Sequence, residues 1–377
     1  MLFELRGKLN QRWDILLGLA GLVLFILMWW ALAEALSIKR PVVQGFDPRL
    51  PSSVVEQDSS AAKIDLDSIA RADSLLFANA TEFVKVYPLL PPPDRVVKSY
   101  GPLLKEDGLA RNTGRSVWLN LQGYFWAMVI ALPLGFLIGL FPLFRGLFSK
   151  QVNAMRYLPL TALTGLFIIW FGIEDQMKIA FLAFGIIVYL LPVVVQRIDE
   201  VEDVYLKTVF TLGATNWQTI RSVYLPAVMS KLMDDIRVLT AISWTYIIIA
   251  ELLNRQGGIG SLIYIKARQG QVDRVFAVLL VIILIGFIQD RLFVYMDRRM
   301  FPHKYYKTML RGIRQVELAI GALLLYLAIL FLLPAFGVNL ADLGNSVVYA
   351  SVLIGVACVA IMLIGELEIW QSLKKSR

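Results

Sequence analysis

The chain has 377 residues, of which 58% are hydrophobic and 18% charged, and its mean hydropathy is +0.65. Soluble domains carry about 25% charged residues, so this composition excludes an ordinary soluble domain and indicates a polytopic membrane protein. The net charge of +8 fits basic cytoplasmic loops, and we expect no nucleic-acid partner. The single cysteine, Cys358, excludes an internal disulfide, and the single histidine, His303, excludes a multi-histidine metal site.

Hydrophobic runs of about 20 residues, the length that crosses a bilayer, predict eight spans. They cover residues 15–36, 117–140, 155–172, 179–195, 231–253, 275–293, 318–333 and 346–365. The first run is longer than the core of a signal peptide, so we interpret it as a retained helix. Lys and Arg cluster at both ends of the chain and after spans two, four and six, which places both termini in the cytoplasm.

The segment between the first two spans has a mixed character. Its first part, "RPVVQGFDPRLPSSVVEQDSS", is rich in Pro and Ser and predicts an irregular linker. Apolar residues at helical spacing then predict an amphipathic helix that ends before Pro88; they are Leu66, Ile69, Leu76, Phe77, Ala80, Phe83 and Val84. The segment is too short for a complete ligand-binding domain. Two interpretations of the segment stay open: a docking or interfacial element, and a solvated spacer.

Spans five and six carry charged residues close to membrane depth. Only 13 uncharged residues separate Arg237 from Glu251, which is about 20 Å of helix. A charge at a lipid-facing helix centre costs roughly 2.5–3.5 kcal/mol, so such groups should face protein, a water-filled cavity or the interface. For Arg237 and Asp290, two interpretations stay open: they face a water-filled cavity, or they form a structural ion pair or lie at the interface. Glu251 is predicted to face a translocation path, with Trp244 and Arg237 as weaker candidates.

The stretch "LGATNWQTIRSVYLPAV", residues 212–228, is a polar bend between spans four and five. Gly213 stands where a helix C-terminus favours a left-handed residue. Thr215 and Gln218 have the spacing of a capping box, which predicts a second helix starting at Thr215. Leu225-Pro226 is predicted to stop that helix, because the residue before a proline disfavours the α region. The expected structure is a rigid helix–bend–helix that should dock onto a partner.

The spacing of Gly213 and Leu225-Pro226 resembles the EAA loop of inner-membrane permeases in binding-protein-dependent ABC importers. The EAA triplet itself is absent, and Lys207-Thr208-Val209 stands in its place. Other stretches resemble the nitrate, taurine, sulfonate and bicarbonate branch of this family. They are "LPPPDRVVKSYGPLL", "VIALPLGFLIGL", "WTYIIIAELLNRQGGIGSLI" and "GFIQDRLFVYMDRRM". The resemblance runs from about residue 88 to residue 300.

The resemblance implies an all-α integral membrane protein with about eight transmembrane helices. Its fold would be a type I ABC importer permease core with an extra C-terminal helix pair. The expected parts are an N-terminal transmembrane helix over 1–36 and a periplasmic insert with interfacial helices over 37–115. The permease core would follow over 116–300, with a cytoplasmic coupling loop at 199–228, and two additional transmembrane helices over 301–377.

The resemblance also implies a function: a permease subunit that moves a small, often anionic solute, such as nitrate, a sulfonate or bicarbonate, into the cytoplasm by alternating access. The chain has no G-x-x-x-x-G-K-[ST] phosphate loop, so we expect neither enzymatic activity nor a cofactor in this chain. ATP would be bound by a separate cytoplasmic ABC ATPase. The residues expected to couple to it are Lys207, Leu212, Gly213, Ala214, Thr215, Trp217, Ile220, Leu225 and Pro226.

Further implied partners are a periplasmic or lipid-anchored substrate-binding protein, a second permease copy in a homodimer, and the lipid of the bacterial inner membrane. One alternative is a membrane scaffold that recruits an ABC ATPase for a task other than import, which the insert and the last two spans favour. A secondary transporter is the least favoured alternative, because it would require internal repeats, and the sequence shows no convincing one.

Overall fold

The structure, a computed structural model, describes residues 10–41, 83–254, 256–306, 311–336, 338 and 344–375. Helices dominate these residues. The helices are α1 (Gln11–Ala35), α2 (Pro93–Lys105), α3 (Leu109–Leu140), α4 (Pro142–Met155), α5 (Thr164–Phe171), α6 (Asp175–Asp199), α7 (Asp203–Thr211), α8 (Asn216–Thr219), α9 (Leu225–Asn254), α10 (Ile259–Arg268), α11 (Val272–Met300), α12 (Ile313–Leu332) and α13 (Gly344–Lys375). Short 3-10 turns lie at Leu160–Leu163, Pro302–Lys304 and Leu333–Phe336, and a π-helical turn lies at Ile220–Tyr224.

Seven helical segments within the described ranges are long and apolar enough to cross a membrane. An eighth span is formed if α4 and the segment 160–171 count together, although they meet at a bend of 95°. The predicted span over 155–172 is therefore wrong as a single straight helix. Pro159 explains the break, because its ring removes a backbone donor and disfavours the α conformation at Leu158.

A two-stranded antiparallel sheet pairs β1 (Ile38–Pro41) with β2 (Phe83–Val86). The predicted amphipathic helix is thus wrong at Phe83 and Val84, which lie in β2. Aromatic and β-branched side chains favour strands, and β1 supplies the backbone partner that local spacing cannot reveal. The remaining members of that prediction, within residues 66–80, lie outside the described residues.

The chain divides into two compact units, residues 1–115 with 255–283 and residues 116–254 with 284–377. In the first unit, a partly buried ion-pair cluster holds the loops together. The Asp107 carboxylate lies 2.7 Å from Lys266 Nζ and 2.6 Å from Arg274 Nη1. Trp29 on α1 donates its indole N–H to the Pro91 carbonyl at 3.0 Å. These contacts anchor α1 and α2 to the start of α11.

The second unit depends on close approach of helix backbones. α3 and α6 meet at glycines: a Cβ added at Gly135 would lie 2.6 Å from Val194, and one at Gly123 would lie 2.5 Å from Leu182. Small residues at such crossings let membrane helices pack through van der Waals contact, since lipid tails provide no hydrophobic driving force.

The C-terminal helices α12 and α13 pack onto α3 and α11 within this unit. Arg299 on α11 makes two hydrogen bonds with Glu366 on α13, at 2.7 and 2.6 Å, and Tyr295 donates to the same carboxylate at 2.9 Å. The Phe331 ring at the end of α12 lies 5.0 Å from the Trp118 ring on α3. The pair is therefore an integral part of the second unit.

Candidate functional site

The bend between α6 and α9, which we call the coupling elbow (residues 199–228), begins with α7 and ends that helix with a Schellman motif. Gly213 has φ 74°. Its N–H donates to the Phe210 carbonyl at 3.0 Å, and the Ala214 N–H donates to the Val209 carbonyl at 3.0 Å. These two bonds satisfy carbonyls that the helix end would leave open. The predicted left-handed glycine is confirmed.

The second arm starts with the predicted capping box, which is also confirmed. The Gln218 N–H donates to Thr215 Oγ1 at 3.4 Å, and the Thr215 N–H donates to Gln218 Oε1 at 2.8 Å. Two donors at the helix start thus find side-chain acceptors. Because both ends of the bend are capped by residues only a few positions apart, its conformation is fixed locally.

The second arm does not stop at Leu225-Pro226, and that prediction is wrong. Leu225 has φ −61° and ψ −51°, which is helical, and its N–H donates to the Ile220 carbonyl five residues back. A proline inside a helix normally clashes with the carbonyl four residues earlier. The π-turn just before Pro226 widens the helix, a recognised way of accommodating such a residue. The arm therefore continues into α9 as one helical segment over residues 216–253.

The tip of the coupling elbow exposes large apolar side chains. Leu212 is 79% exposed and Trp217 is 71% exposed. The exposed set continues along α7 with Val204, Tyr205 and Phe210. Of the other predicted coupling residues, Lys207, Gly213, Thr215, Leu225 and Pro226 are exposed, whereas Ala214 and Ile220 are half-buried. Contiguous exposed apolar residues typically mark an interaction surface.

The root of the coupling elbow is held by an ion-pair group that was not predicted from the sequence. Arg197 at the end of α6 donates to Asp235 on α9 at 2.7 and 2.8 Å, and to Glu200 at 2.9 and 2.7 Å. Lys231 donates to the Glu200 carbonyl at 2.9 Å. The hydrogen bonds from Arg197 lower the pKa of the Glu200 carboxyl below its ordinary value. This group, the root clamp, joins α6 to α9 where the elbow leaves the spans.

A second set of contacts joins this root to the segment after α11. Lys304 donates to the Ser230 carbonyl on α9, and its ammonium lies 3.1 Å from Asp297. His303 Nε2 lies 3.5 Å from Ser230 Oγ. Tyr305 donates to Asp297, which raises the pKa of Tyr305 to about 12, so its hydroxyl stays protonated as a donor near neutral pH. The link to the C-terminal helix pair thus rests against the elbow.

The three predicted path residues share one face of α9, because they are spaced seven apart, but they do not form one site. Arg237 and Glu251 are 14 residues apart, about 21 Å along the helix. Arg237 pairs with Asp290 on α11, so the structure shows these two charges as a pair. Trp244 is 5% exposed and donates to Gln289 Oε1 at 2.6 Å. Glu251 is fully buried and accepts from Ser116 Oγ at 2.5 Å.

A polar seam between α3 and α9 surrounds these positions. Ser116, Asn120 and Tyr124 lie four residues apart on α3 and face α9. Asn120 Nδ2 donates to Ser243 Oγ at 3.0 Å, and the Tyr124 hydroxyl donates to the Ile236 carbonyl at 2.7 Å. The four-residue spacing was the available signal, since it places three polar side chains on one helix face. Over the described ranges, no three His, Cys, Asp or Glu side chains converge as metal ligands.

Comparison with known proteins defines the class of the chain. Residues 131–302 match the family described as "Binding-protein-dependent transport system inner membrane component". Residues 131–302 therefore carry the inner-membrane component domain of a binding-protein-dependent transport system, within a chain whose described part is all-α apart from one two-stranded sheet, and the predicted family resemblance is confirmed over these residues. This family works with an ATPase and a substrate-binding protein on separate chains.

Some relatives of this chain are named for taurine or aliphatic sulfonate transport. The taurine transport system permease protein TauC of Escherichia coli is 25% identical over 218 residues, covering 56% of this chain and 79% of that protein. The putative aliphatic sulfonates transport permease protein SsuC of Bacillus subtilis is 26% identical, covering 56% and 77%. Among solved structures, the inward-facing MetNI methionine ABC transporter is 20% identical, with a TM-score of 0.46, covering 50% of this chain and 94% of that chain.

Proposed function

We propose that this chain is the permease subunit of an ABC importer that moves a small organosulfonate, or a comparable small anion such as nitrate or bicarbonate, into the cytoplasm by alternating access. The coupling elbow is the observation that carries this proposal: a locally capped bend with an exposed apolar tip, continuous with a membrane span. The names of TauC and SsuC, permeases of taurine and aliphatic sulfonates, support the sulfonate class.

The elbow's construction supports a mechanical role. Because its second arm and α9 form one helical segment over residues 216–253, a displacement at Trp217 is passed along the span. The root clamp at Arg197 passes the same displacement to α6. The exposed rings and aliphatic chains at the tip suit an apolar groove on a cytoplasmic ATPase. Closure of the ATPase on ATP would then rock α6 and α9 together.

We also propose that the permease works as a homodimer in lipid with both termini in the cytoplasm. The positive-inside distribution supports this orientation, since basic clusters follow the spans that end on that side. In the same orientation, α2 and the α10–α11 turn face outward, where a substrate-binding protein would deliver its cargo. Glu251, Trp244 and Arg237 stay candidates for the translocation path.

Reconstitution with the partner ATPase and binding protein tests the proposal. Gly213→Pro should abolish sulfonate uptake, because proline cannot adopt φ 74° and would lose the N–H that caps α7. Gly213→Asn is the matched control, because asparagine tolerates the left-handed region. Wild-type uptake rates in the proline variant would refute the mechanical role of the coupling elbow.

The scaffold alternative has one favourable observation, the packing of the C-terminal helix pair against the permease core through Arg299 and Glu366. An ATPase complex that assembles on the elbow but imports none of the sulfonates, nitrate or bicarbonate would support the scaffold over the importer.

A further inference from the structure

A cavity of about 330 Å³ lies in the first compact unit, outside the elbow and the candidate path. Its walls come from the end of β2, from one face of α2, and from the turn that leads into α11. This volume is at the lower end of the range for small-molecule pockets. The proposed orientation places the cavity on the outer face of the membrane.

The cavity lining is basic. Three of its side chains are cationic, Arg95, Lys98 and Arg274, and one is acidic, Asp273. Arg274 is already paired with the partly buried Asp107 at 2.6 Å, so it contributes little free charge. Arg95 and Lys98, on successive positions of the same face of α2, are the cations left to act on a ligand.

Arg95 is held in place without a carboxylate partner among the described residues. Its guanidinium lies 4.7 Å from the centre of the Tyr87 ring, and its Nη2 donates to the Lys85 carbonyl at 3.4 Å. Lys98 is 80% exposed at its side chain and lies 3.9 Å from Asp94, whose side chain is 58% exposed. Exposed pairs of this kind are weak, so an anion can compete for Lys98.

Two further features of the lining complement a ligand. The 29-residue helix α11 begins at Val272, and its first turn forms part of the wall, so its positive end favours an anion there. Among the described residues, Gln271 Oε1 is buried without a hydrogen-bond donor. A buried acceptor without a partner raises the free energy of the folded state. A ligand N–H that donates a hydrogen bond to it would remove this cost.

We propose that this cavity is an outer binding site for a small zwitterionic organosulfonate, an aminoalkanesulfonate, and this inference rests on the proposed function. Arg95, Lys98 and the first turn of α11 hold the sulfonate oxygens. Gln271 Oε1 and Asp273 receive the ammonium group. The site retains the solute at the outer face before it enters the path, and the ammonium contacts select aminosulfonates over plain alkanesulfonates.

Equilibrium binding to the full-length permease with its ATPase, in nanodiscs of zwitterionic phosphatidylcholine, tests the site. The probe is radiolabelled 2-aminoethanesulfonate, with ethanesulfonate and 2-aminoethanol as competitors that each lack one charged group. Arg95→Gln and Lys98→Gln should each weaken binding about tenfold, the effect of losing one charge-assisted hydrogen bond. Gln271→Leu should reduce the preference for 2-aminoethanesulfonate over ethanesulfonate, because Asp273 alone then receives the ammonium group.

Lys105→Gln is the matched control, because Lys105 is an exposed cation at the end of the same helix and lies outside the cavity. This variant should bind 2-aminoethanesulfonate with the wild-type affinity. Lys98 is largely exposed, so its variant should fold, which size-exclusion chromatography verifies. Unchanged binding in the Arg95→Gln/Lys98→Gln double variant would overturn the site.

Uptake by reconstituted wild type separates the two proposals. If sulfonate is imported but the cavity variants bind it normally, the cavity proposal alone fails. If wild type imports no sulfonate while the nanodisc pattern holds, the importer proposal fails and the cavity remains a sulfonate site.

Discussion

Replacing Arg197 with glutamine should release the coupling elbow from α6 and uncouple ATP hydrolysis from uptake. Arg197 makes four hydrogen bonds, two to Asp235 and two to Glu200, all between 2.7 and 2.9 Å. Without the guanidinium, both carboxylates lose their strongest partner at the point where the elbow leaves the spans. We expect the variant to assemble and hydrolyse ATP, but to import less solute per ATP consumed.

The magnitude follows from the exposure of the pair. The side chains of Arg197 and Asp235 are 26% and 19% exposed. Hydrogen bonds to charged groups are worth about 1.5–3 kcal/mol when buried, and exposed ion pairs about 0.2–1 kcal/mol. An intermediate coupling of about 1–2 kcal/mol is therefore expected between Arg197 and Asp235. This energy corresponds to a roughly 5- to 30-fold shift in the population with the clamp closed.

A double-mutant cycle of Arg197→Gln and Asp235→Asn measures this coupling, with reversible unfolding in mixed micelles as the readout. Arg221→Gln is the control, because Arg221 is an exposed cation on the same elbow, outside the clamp. The ratio of solute imported to ATP hydrolysed, measured in proteoliposomes, reports the mechanical consequence. A coupling energy below about 0.5 kcal/mol, the usual limit of additivity for independent sites, together with an unchanged transport ratio, would refute the clamp.

The pH dependence supplies an internal check on the same group. The hydrogen bonds from Arg197 lower the pKa of Glu200 in the folded state below its ordinary value of 4.5. A lowered carboxyl pKa contributes stability above the unfolded pKa and loses it as the pH falls through the folded pKa. The stability difference between wild type and Arg197→Gln should therefore shrink as the medium is acidified below 4.5.

Three further changes test other parts of the structure. Gly365→Ala should loosen the C-terminal helix pair and lower the unfolding temperature, because the added Cβ would lie 2.6 Å from the facing helix; Gly355→Ala, with open space around it, is the control and should not. Thr215→Ala should reduce coupled uptake and cost about 1 kcal/mol by removing the capping box, as reversible unfolding would show. Glu251→Ala should abolish uptake yet leave assembly intact if Glu251 lines the path, whereas failed assembly would assign it a structural role with Ser116.

Features that depend on residues a few positions apart were predictable from the sequence. The left-handed Gly213 and the Thr215–Gln218 capping box both follow from local spacing, because each motif closes hydrogen bonds within about five residues. The membrane class was equally accessible, because a bilayer demands long apolar runs wherever the chain crosses it. The family resemblance came from motifs such as the spacing of Gly213 and Leu225-Pro226, and the match of residues 131–302 confirms it.

The same rules failed where a distant partner or a compensating distortion decided the outcome. Phe83 and Val84 have apolar spacing that suits a helix, yet β1, more than 40 residues earlier, draws them into a strand. Pro226 should end a helix, yet the π-turn before it lets the helix continue into α9. The residues next to Phe83 and Val84 do not reveal their strand partner, and the residues next to Pro226 do not reveal the widened helix.

By itself, the sequence determined that the chain is a membrane protein, that it has about eight spans, and that a capped bend lies between two of them, since composition and short-range bonding decide each of these. Only the tertiary structure decided which charges meet. Arg197 finds Asp235 38 residues later, and Arg237 finds Asp290 53 residues later. Such pairs depend on which helix faces come together, and side-chain packing over the whole unit determines those faces.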